Sequence, residues 1–231
     1  MTIDDFDKIY ILHLSNNIDR YYHILNEFKR MNLSDKIDIW WTCKRNISVD
    51  IGNNLNSIHT PYYDDSKKHN KDIYGAVFNC ALEHYTIIRT SYERGFNNIM
   101  IFEDDICFAE NREYFDKCLS LIPNDYKICK LYHSNNLLHL CKDFSKTENL
   151  FKLSNNYNKT TTSVSTAGYC LNRKGMELMI ESYHKKFNCA DRVFENINQE
   201  NIYVNTKKIL YINPLFESNL NLNIYEDFSN K

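Results

Sequence analysis

The run Asn98 to Phe102 (NIMIF) empties directly into three consecutive acids, Glu103-Asp104-Asp105. A short apolar run of this kind, bounded by Gly95 on one side and charge on the other, reads as a buried strand. Other segments build around it. Ile9 to Leu14 (IYILHL) is strand-length and apolar, and Asp38 to Trp41, Lys127 to Tyr132 and Thr166 to Leu171 are further strands. Ile202 to Val204 and Ile209 to Ile212 are weaker ones. Helical spacing recurs between them. Asp19 to Met31 places Tyr22, Leu25, Phe28 and Met31 at three-residue intervals, and Asp19 sits near the positive end of that helix. Gly75 to Arg94 gathers Val77, Ala81, His84, Ile88 and Tyr92 on one face and stops at Gly95. Tyr114 to Ile122, Asn172 to Tyr183 and Ala190 to Ile197 complete the helices. Strands alternating with helices predict an α/β fold with a mostly parallel central sheet.

At 231 residues the chain suits a single domain, 1–231. Hydrophobic residues make up 43%, enough for a core. The net charge of -2, from 28 basic and 30 acidic residues, argues against a nucleic-acid partner. The eight cysteines form no Cys-x-x-Cys pair and lie in apolar segments, which points away from zinc and toward reduced thiols. The acidic opening Met1 to Lys8 has no leader character, and no apolar run approaches the ~20 residues of a membrane span. The expectation is a cytoplasmic chain with no integral membrane segment, any membrane contact being peripheral. The sequons at Asn32, Asn46 and Asn158 then read as chance matches. Residues 44–72 lack periodicity and form a long loop, mobile or functional, carrying Pro61 and Tyr62-Tyr63-Asp64-Asp65.

Side chains alternate along a strand, so Glu103 and Asp105 are expected on one face and Asp104 on the other. Ligands of open α/β sheets gather beyond the carboxyl ends of strands, where this cluster lies. Two carboxylates on one face repel unless a cation separates them, and oxygen ligands favour Mg²⁺ or Mn²⁺. The other reading is a solvated acidic turn ahead of the next helix.

Read together, several segments resemble the family-25 glycosyltransferases, which include lipooligosaccharide and collagen galactosyltransferases. Leu12-His13-Leu14 with Asp19-Arg20 is similar to the family's opening motif. Cys80-Ala81-Leu82-Glu83-His84 is similar to its Gly-Cys-x-x-Ser-His helix segment, and Ile101-Phe102-Glu103-Asp104-Asp105-Ile106 to its acidic strand end. Thr166 to Gly175, with Arg173-Lys174-Gly175, and Ala190-Asp191-Arg192 follow in the family's order. His13, Asn79 and Glu83 stand where the family usually has Asn, Gly and Ser. The resemblance implies a nucleotide-diphosphosugar transferase (GT-A-like) fold, a UDP-sugar donor with galactose the commonest sugar, and inversion at the anomeric carbon. The acceptor would be a glycan or a hydroxylated protein.

On that footing Glu103 and Asp105 are the expected Mn²⁺ or Mg²⁺ ligands, and Asp104 is expected near the ribose or donor sugar. Asp191 is the candidate base, or else an acid opening the helix at Arg192. Arg20 is placed on the diphosphate, or on a helix surface. His13 and His84 are placed at the donor pocket, His84 being alternatively a core residue. His133 is a candidate further contact. Arg173 and Lys174 either approach the substrates or form an exposed basic helix start. Two rivals remain. A pyrophosphorylase would be expected to carry a glycine-rich loop, and no two of the five glycines are separated by a single residue. A non-catalytic carbohydrate- or sugar-nucleotide-binding protein would use aromatics such as Tyr62 and Tyr63 as stacking platforms.

Overall fold

The computed structural model describes residues 1–42, 71–132, 150–152, 165–187, 189–198, 201–205 and 209–216. Most of the expected long loop, 44–70, lies outside these residues, as do Tyr62, Tyr63 and His133; residues 71 and 72 open a helix instead. The elements in chain order are a 3-10 helix (Ile3–Asp5), β1 (Lys8–Leu14), α1 (Ile18–Arg30), β2 (Ile37–Thr42), α2 (Lys71–Glu93), β3 (Asn98–Glu103), β4 (Ile106–Phe108) and α3 (Arg112–Leu119). They continue with β5 (Ile128–Lys130), β6 (Leu150–Lys152), β7 (Gly168–Asn172), α4 (Arg173–Lys185), a 3-10 helix (Ala190–Asn196), β8 (Ile202–Asn205) and β9 (Leu210–Ile212).

The seven-stranded sheet runs β2-β1-β3-β7-β5-β8-β6. β2, β1, β3, β5 and β8 point one way; β7 and β6 oppose them. This is the mostly parallel α/β sheet predicted from the alternation of strands and helices. From β1 the chain steps outward to β2 and then returns to β3 on the other side of β1. The order reverses between β1 and β3, which is where open α/β sheets place their ligands.

Alternation along each strand divides two cores. Ile9, Ile11, Met100, Phe102, Cys129 and Cys170 face α1 and α3, where Ile24, Phe28 and Phe115 meet them. Tyr10, Leu12, Ile99, Ile101, Ile128, Tyr169 and Leu171 face α2 and α4, against Ala81, Ile88, Met176 and Met179. On α1 the buried residues are Arg20, Ile24 and Phe28, a four-residue stripe, while Tyr22 is 61% exposed. The expected stripe through Tyr22 and Leu25 is therefore rotated. Its consequence is that Arg20 extends the core face of α1 toward the sheet.

Two strands are absent from the sequence expectation. β4 follows the acids after a tight turn and pairs with β9, and β6 closes the sheet edge. At three residues each they are too short to show a period.

Gly175 marks a close approach. It lies in the first turn of α4, whose N-cap Asn172 accepts a hydrogen bond from Gly175 N at 2.8 Å. A Cβ there would sit 1.9 Å from the Lys127 carbonyl oxygen, which is backbone and cannot swing aside. Gly175→Ala should cost about 3 kcal/mol, the upper range for overpacking. Calorimetry should show Tm falling by roughly 10 °C; an unchanged Tm would show that α4 can slide freely on β5.

Candidate functional site

The acidic cluster sits where β3 ends, and its members part company there. Glu103 is the last residue of the strand and keeps the parity of Ile99 and Ile101, so it faces α2. Asp104 and Asp105 form the turn before β4. The strand alternation stops at Glu103, yet the Glu103 charge acts on Asp105 more strongly than the Asp104 charge does. Arg20 Nη1 donates to Asp104 Oδ1 at 2.9 Å and to Asp105 Oδ2 at 2.9 Å, drawing the two aspartates together.

On the α1 side the parallel register pairs Leu12 with Glu103, which carries His13 alongside Asp104. His13 Nδ1 lies 2.7 Å from Asp104 Oδ2. His13 is fully buried, Arg20 6% exposed and Asp104 3%. Asp104 thus spends both oxygens on side chains of its own protein, and its geometry suits orienting His13 and Arg20. Tyr21 and Trp41 pack on the His13 ring at 5.5 and 5.0 Å between centroids. Phe216, in the segment after β9, covers the Arg20 guanidinium at 5.3 Å, and Asn213 N donates to Asp105 O at 2.8 Å. The segment near the described carboxyl end therefore closes over the turn.

On the α2 side Thr166 Oγ1 donates toward Glu103 Oε1 at 2.7 Å and Asp191 Oδ1 at 3.2 Å. Two acids distant in sequence meet on one hydroxyl. Thr166 reaches them because β7 is antiparallel, so its amino end lies beside the carboxyl end of β3. The same reversal sends Arg173 and Lys174 to the opposite end of the sheet, where Asn172 pairs with Asn98. Arg173 donates to the Tyr92 and Phe96 carbonyl oxygens and stacks on Tyr92, and Lys174 pairs with Glu177. Neither approaches the acids; of the two readings, the basic helix start holds.

Asp191 lies in the first turn of the 3-10 helix, as the helix-acid reading expects, and also in the site. Its residue surface is exposed, yet burial leads the causes that raise its carboxyl pKa, followed by the Glu103 charge. Lys130, Thr166 and His84 oppose the rise. Lys130 shares the parity of Ile128 on β5, is 1% exposed, and places Nζ 4.4 Å from the Phe194 ring centre. Burial lowers its pKa to about 7, against the pull of Asp191 and Glu103. Lys130 and Thr166 were not recognised in sequence. Lys130 could have been flagged as a cation inside an apolar strand; nothing local distinguishes Thr166.

Asp104 and Asp105 meet on Arg20, Glu103 and Asp191 meet on Thr166, and Lys130 lies in the field of the latter pair. Asp105 Oδ1 is buried without a hydrogen-bond partner. Desolvation, then the Glu103 charge, raises the Asp105 pKa from 3.8 to about 7. A buried carboxylate oxygen with no donor, beside a second acid, fits a divalent cation with oxygen preference. The folded carboxyl keeps its proton to about pH 7, whereas the unfolded one loses it near 3.8. The folded state binds the extra proton in that window. Its stability falls as pH rises from about 4 to about 7, by roughly 4 kcal/mol. A cation takes only the carboxylate, so Mn²⁺ affinity should rise about tenfold per unit from pH 5 to 7 and level off above. Thermal shift with Mn²⁺ at stepped pH measures this, and a flat profile would show that Asp105 does not hold the ion.

Among the described residues, no helix is long and apolar enough to cross a membrane. The sequence profile of glycosyltransferase family 25 (LPS biosynthesis protein) matches residues 6–194. The human protein named inactive glycosyltransferase 25 family member 3 is 29% identical over 113 residues, 46% of this chain and 18% of that protein. Its mouse counterpart of the same name is 28% identical over 130 residues, 54% of this chain and 20% of that protein. The matches thus span about a fifth of the length of these relatives. The apo structure of the WbbM bifunctional glycosyltransferase is similar over 89% of this chain and 39% of its own, with 12% identity and a TM-score of 0.46. The apo structure of mouse xyloside xylosyltransferase 1 covers 82% of this chain and 80% of its own, with 10% identity and a TM-score of 0.31.

Proposed function

The chain belongs to glycosyltransferase family 25, and from that premise we propose that it transfers a hexose, galactose first among the candidates, from a UDP-sugar to a hydroxyl of a glycan or hydroxylated protein. The observation that carries this reading is the partnerless Asp105 Oδ1 beside Glu103 at the carboxyl end of β3. In the proposal Glu103 and Asp105 hold Mn²⁺ or Mg²⁺, which when bound neutralises charge on the departing diphosphate. Arg20 fixes the Asp104-Asp105 turn, and Asp104 holds His13 and Arg20 in place behind it. Asp191 accepts the proton of the acceptor hydroxyl as its oxygen attacks the anomeric carbon; UDP leaves from the opposite face and the configuration inverts. Thr166 keeps the Asp191 carboxylate aligned by its hydrogen bond.

The experiment is UDP release from UDP-galactose, UDP-glucose and UDP-N-acetylglucosamine in turn, with Mn²⁺ or with chelator, with and without a mixed glycan acceptor. Metal-dependent release from one donor supports the reading and names the sugar. A second reading is a sugar-nucleotide-binding protein without turnover, favoured by the word "inactive" in the names of the human and mouse relatives. Thermal stabilisation by a UDP-sugar with Mn²⁺, without release under any acceptor condition, would select it.

A further inference from the structure

The α2 side of the site contains a ligand set of which the proposed transfer uses Glu103 alone. Cys80 and His84 are four residues apart on α2 and so share a helix face. Glu103 faces them from β3. One ligand atom from each, the Cys80 thiol, a His84 ring nitrogen and a Glu103 oxygen, all lie within 4.8 Å of one another. Among the described residues this is the one group of its kind. His84 is fully buried, its Nε2 makes no hydrogen bond, and that nitrogen lies 3.6 Å from Glu103 Oε1. Its Nδ1 lies 2.8 Å from the Tyr169 hydroxyl. With Nδ1–H donating to that oxygen, the Nε2 lone pair is free toward Glu103, the arrangement in which an imidazole ligates a metal while its second nitrogen is held by a partner.

Although the cysteine spacing in the sequence points away from zinc, we propose that Cys80, His84 and Glu103 form a zinc site, distinct in chemistry from the oxygen-lined site of Glu103 and Asp105, and that zinc bound there inhibits sugar transfer. Thiolate and imidazole select Zn²⁺ over Mg²⁺ and Mn²⁺, whereas carboxylates alone favour the harder ions. Zinc bonds of about 2.0 to 2.3 Å place tetrahedral ligands up to roughly 4 Å apart, so the set closes with shifts of under about 1 Å. Binding releases the Cys80 thiol proton to solvent and changes no oxidation state. Inhibition follows because Glu103 is common to both sites: once it serves zinc, Asp105 alone remains for the donor metal. The binding stands on the geometry, while the inhibition rests on the proposed transferase activity.

Cobalt reports the site without any need for turnover. The chelator-treated full chain, titrated with Co²⁺, should develop a thiolate-to-cobalt charge-transfer band in the near ultraviolet, displaced by Zn²⁺. Cys80→Ser should lose the band and weaken zinc at least tenfold. Cys189→Ser, at a thiol near Cys80 but outside the set, and Asp105→Asn should keep it. Tyr169→Phe removes only the hydroxyl behind His84 and should weaken zinc about tenfold. Wild-type release of UDP should fall as zinc fills the site, and Cys80→Ser should need at least tenfold more zinc for the same loss. No band in the wild type, or a band unchanged in Cys80→Ser, overturns the site. Should Cys80→Ser misfold, equal zinc affinity of Tyr169→Phe and wild type overturns it instead. An intact band with no UDP release under any condition defeats the transferase reading and leaves the zinc site standing.

Discussion

Asp105→Asn is expected to cut metal-dependent UDP release by about 10³-fold and, without metal, to make the protein more stable. Both effects come from one carboxylate. Its Oδ1 is buried with no donor, and burial together with Glu103 raises its pKa to about 7. The amide keeps the shape and retains an oxygen for the Arg20 contact, but removes the charge. Losing a charge-stabilising contact to the transition state typically costs ~10²–10³ in rate, and removal of a metal ligand lies at or beyond the upper end. Above pH 7 the desolvated carboxylate costs the folded state up to roughly 4 kcal/mol, and the amide avoids that cost. At pH 8 the variant should therefore melt higher than wild type in chelator and show no Mn²⁺-induced shift. A variant that is inactive and also less stable would mean Asp105 serves the fold through Arg20. Full activity would move the metal site away from Asp105.

Asp191→Asn should lower kcat by about 10²–10⁴ while UDP-sugar affinity changes by less than about twofold. A base acts on the acceptor proton in the transition state, so its loss appears in turnover and not in donor binding. The position is suited to that work: open to solvent, yet aligned by Thr166 and in the field of Lys130. Lys130 opposes the upward shift of the Asp191 pKa, so removing it as Lys130→Met should raise that pKa further. The acid limb of the kcat profile should then move to higher pH. If Asp191 serves only the first turn of the 3-10 helix, its Asn variant should lose less than about 1 kcal/mol of stability and no turnover. Parallel loss of donor binding would assign it to the donor site instead of the proton.

The strand ending in Glu103-Asp104-Asp105, the helices around it and the mostly parallel α/β layering were legible because they depend on local period and length. The family likeness points to Arg20 and Asp191, and the helix face together with that likeness points to His84. The partners of these residues were not legible. Alternation pairs Glu103 with Asp105, but it does not show that Arg20 bridges Asp105 to Asp104 where the strand ends. No local signal reports where a strand stops relative to a turn.

Strand direction was the other hidden variable. β7 reads as a strand either way round, yet only its antiparallel setting brings Thr166 to Glu103 and sends Arg173 to the far end of the sheet. Cys80 and His84 carry a four-residue spacing that sequence displays plainly. Their approach to Glu103 required α2 to pack on one side of β3. The sequence by itself determined which segments are apolar, their periods, and where acids interrupt them, because those are properties of neighbours along the chain. Which acids meet and which lose their water was decided only in the tertiary structure. Desolvation and charge coupling depend on distances through space, and the packing of α1 and α2 on opposite faces of β3 sets those distances.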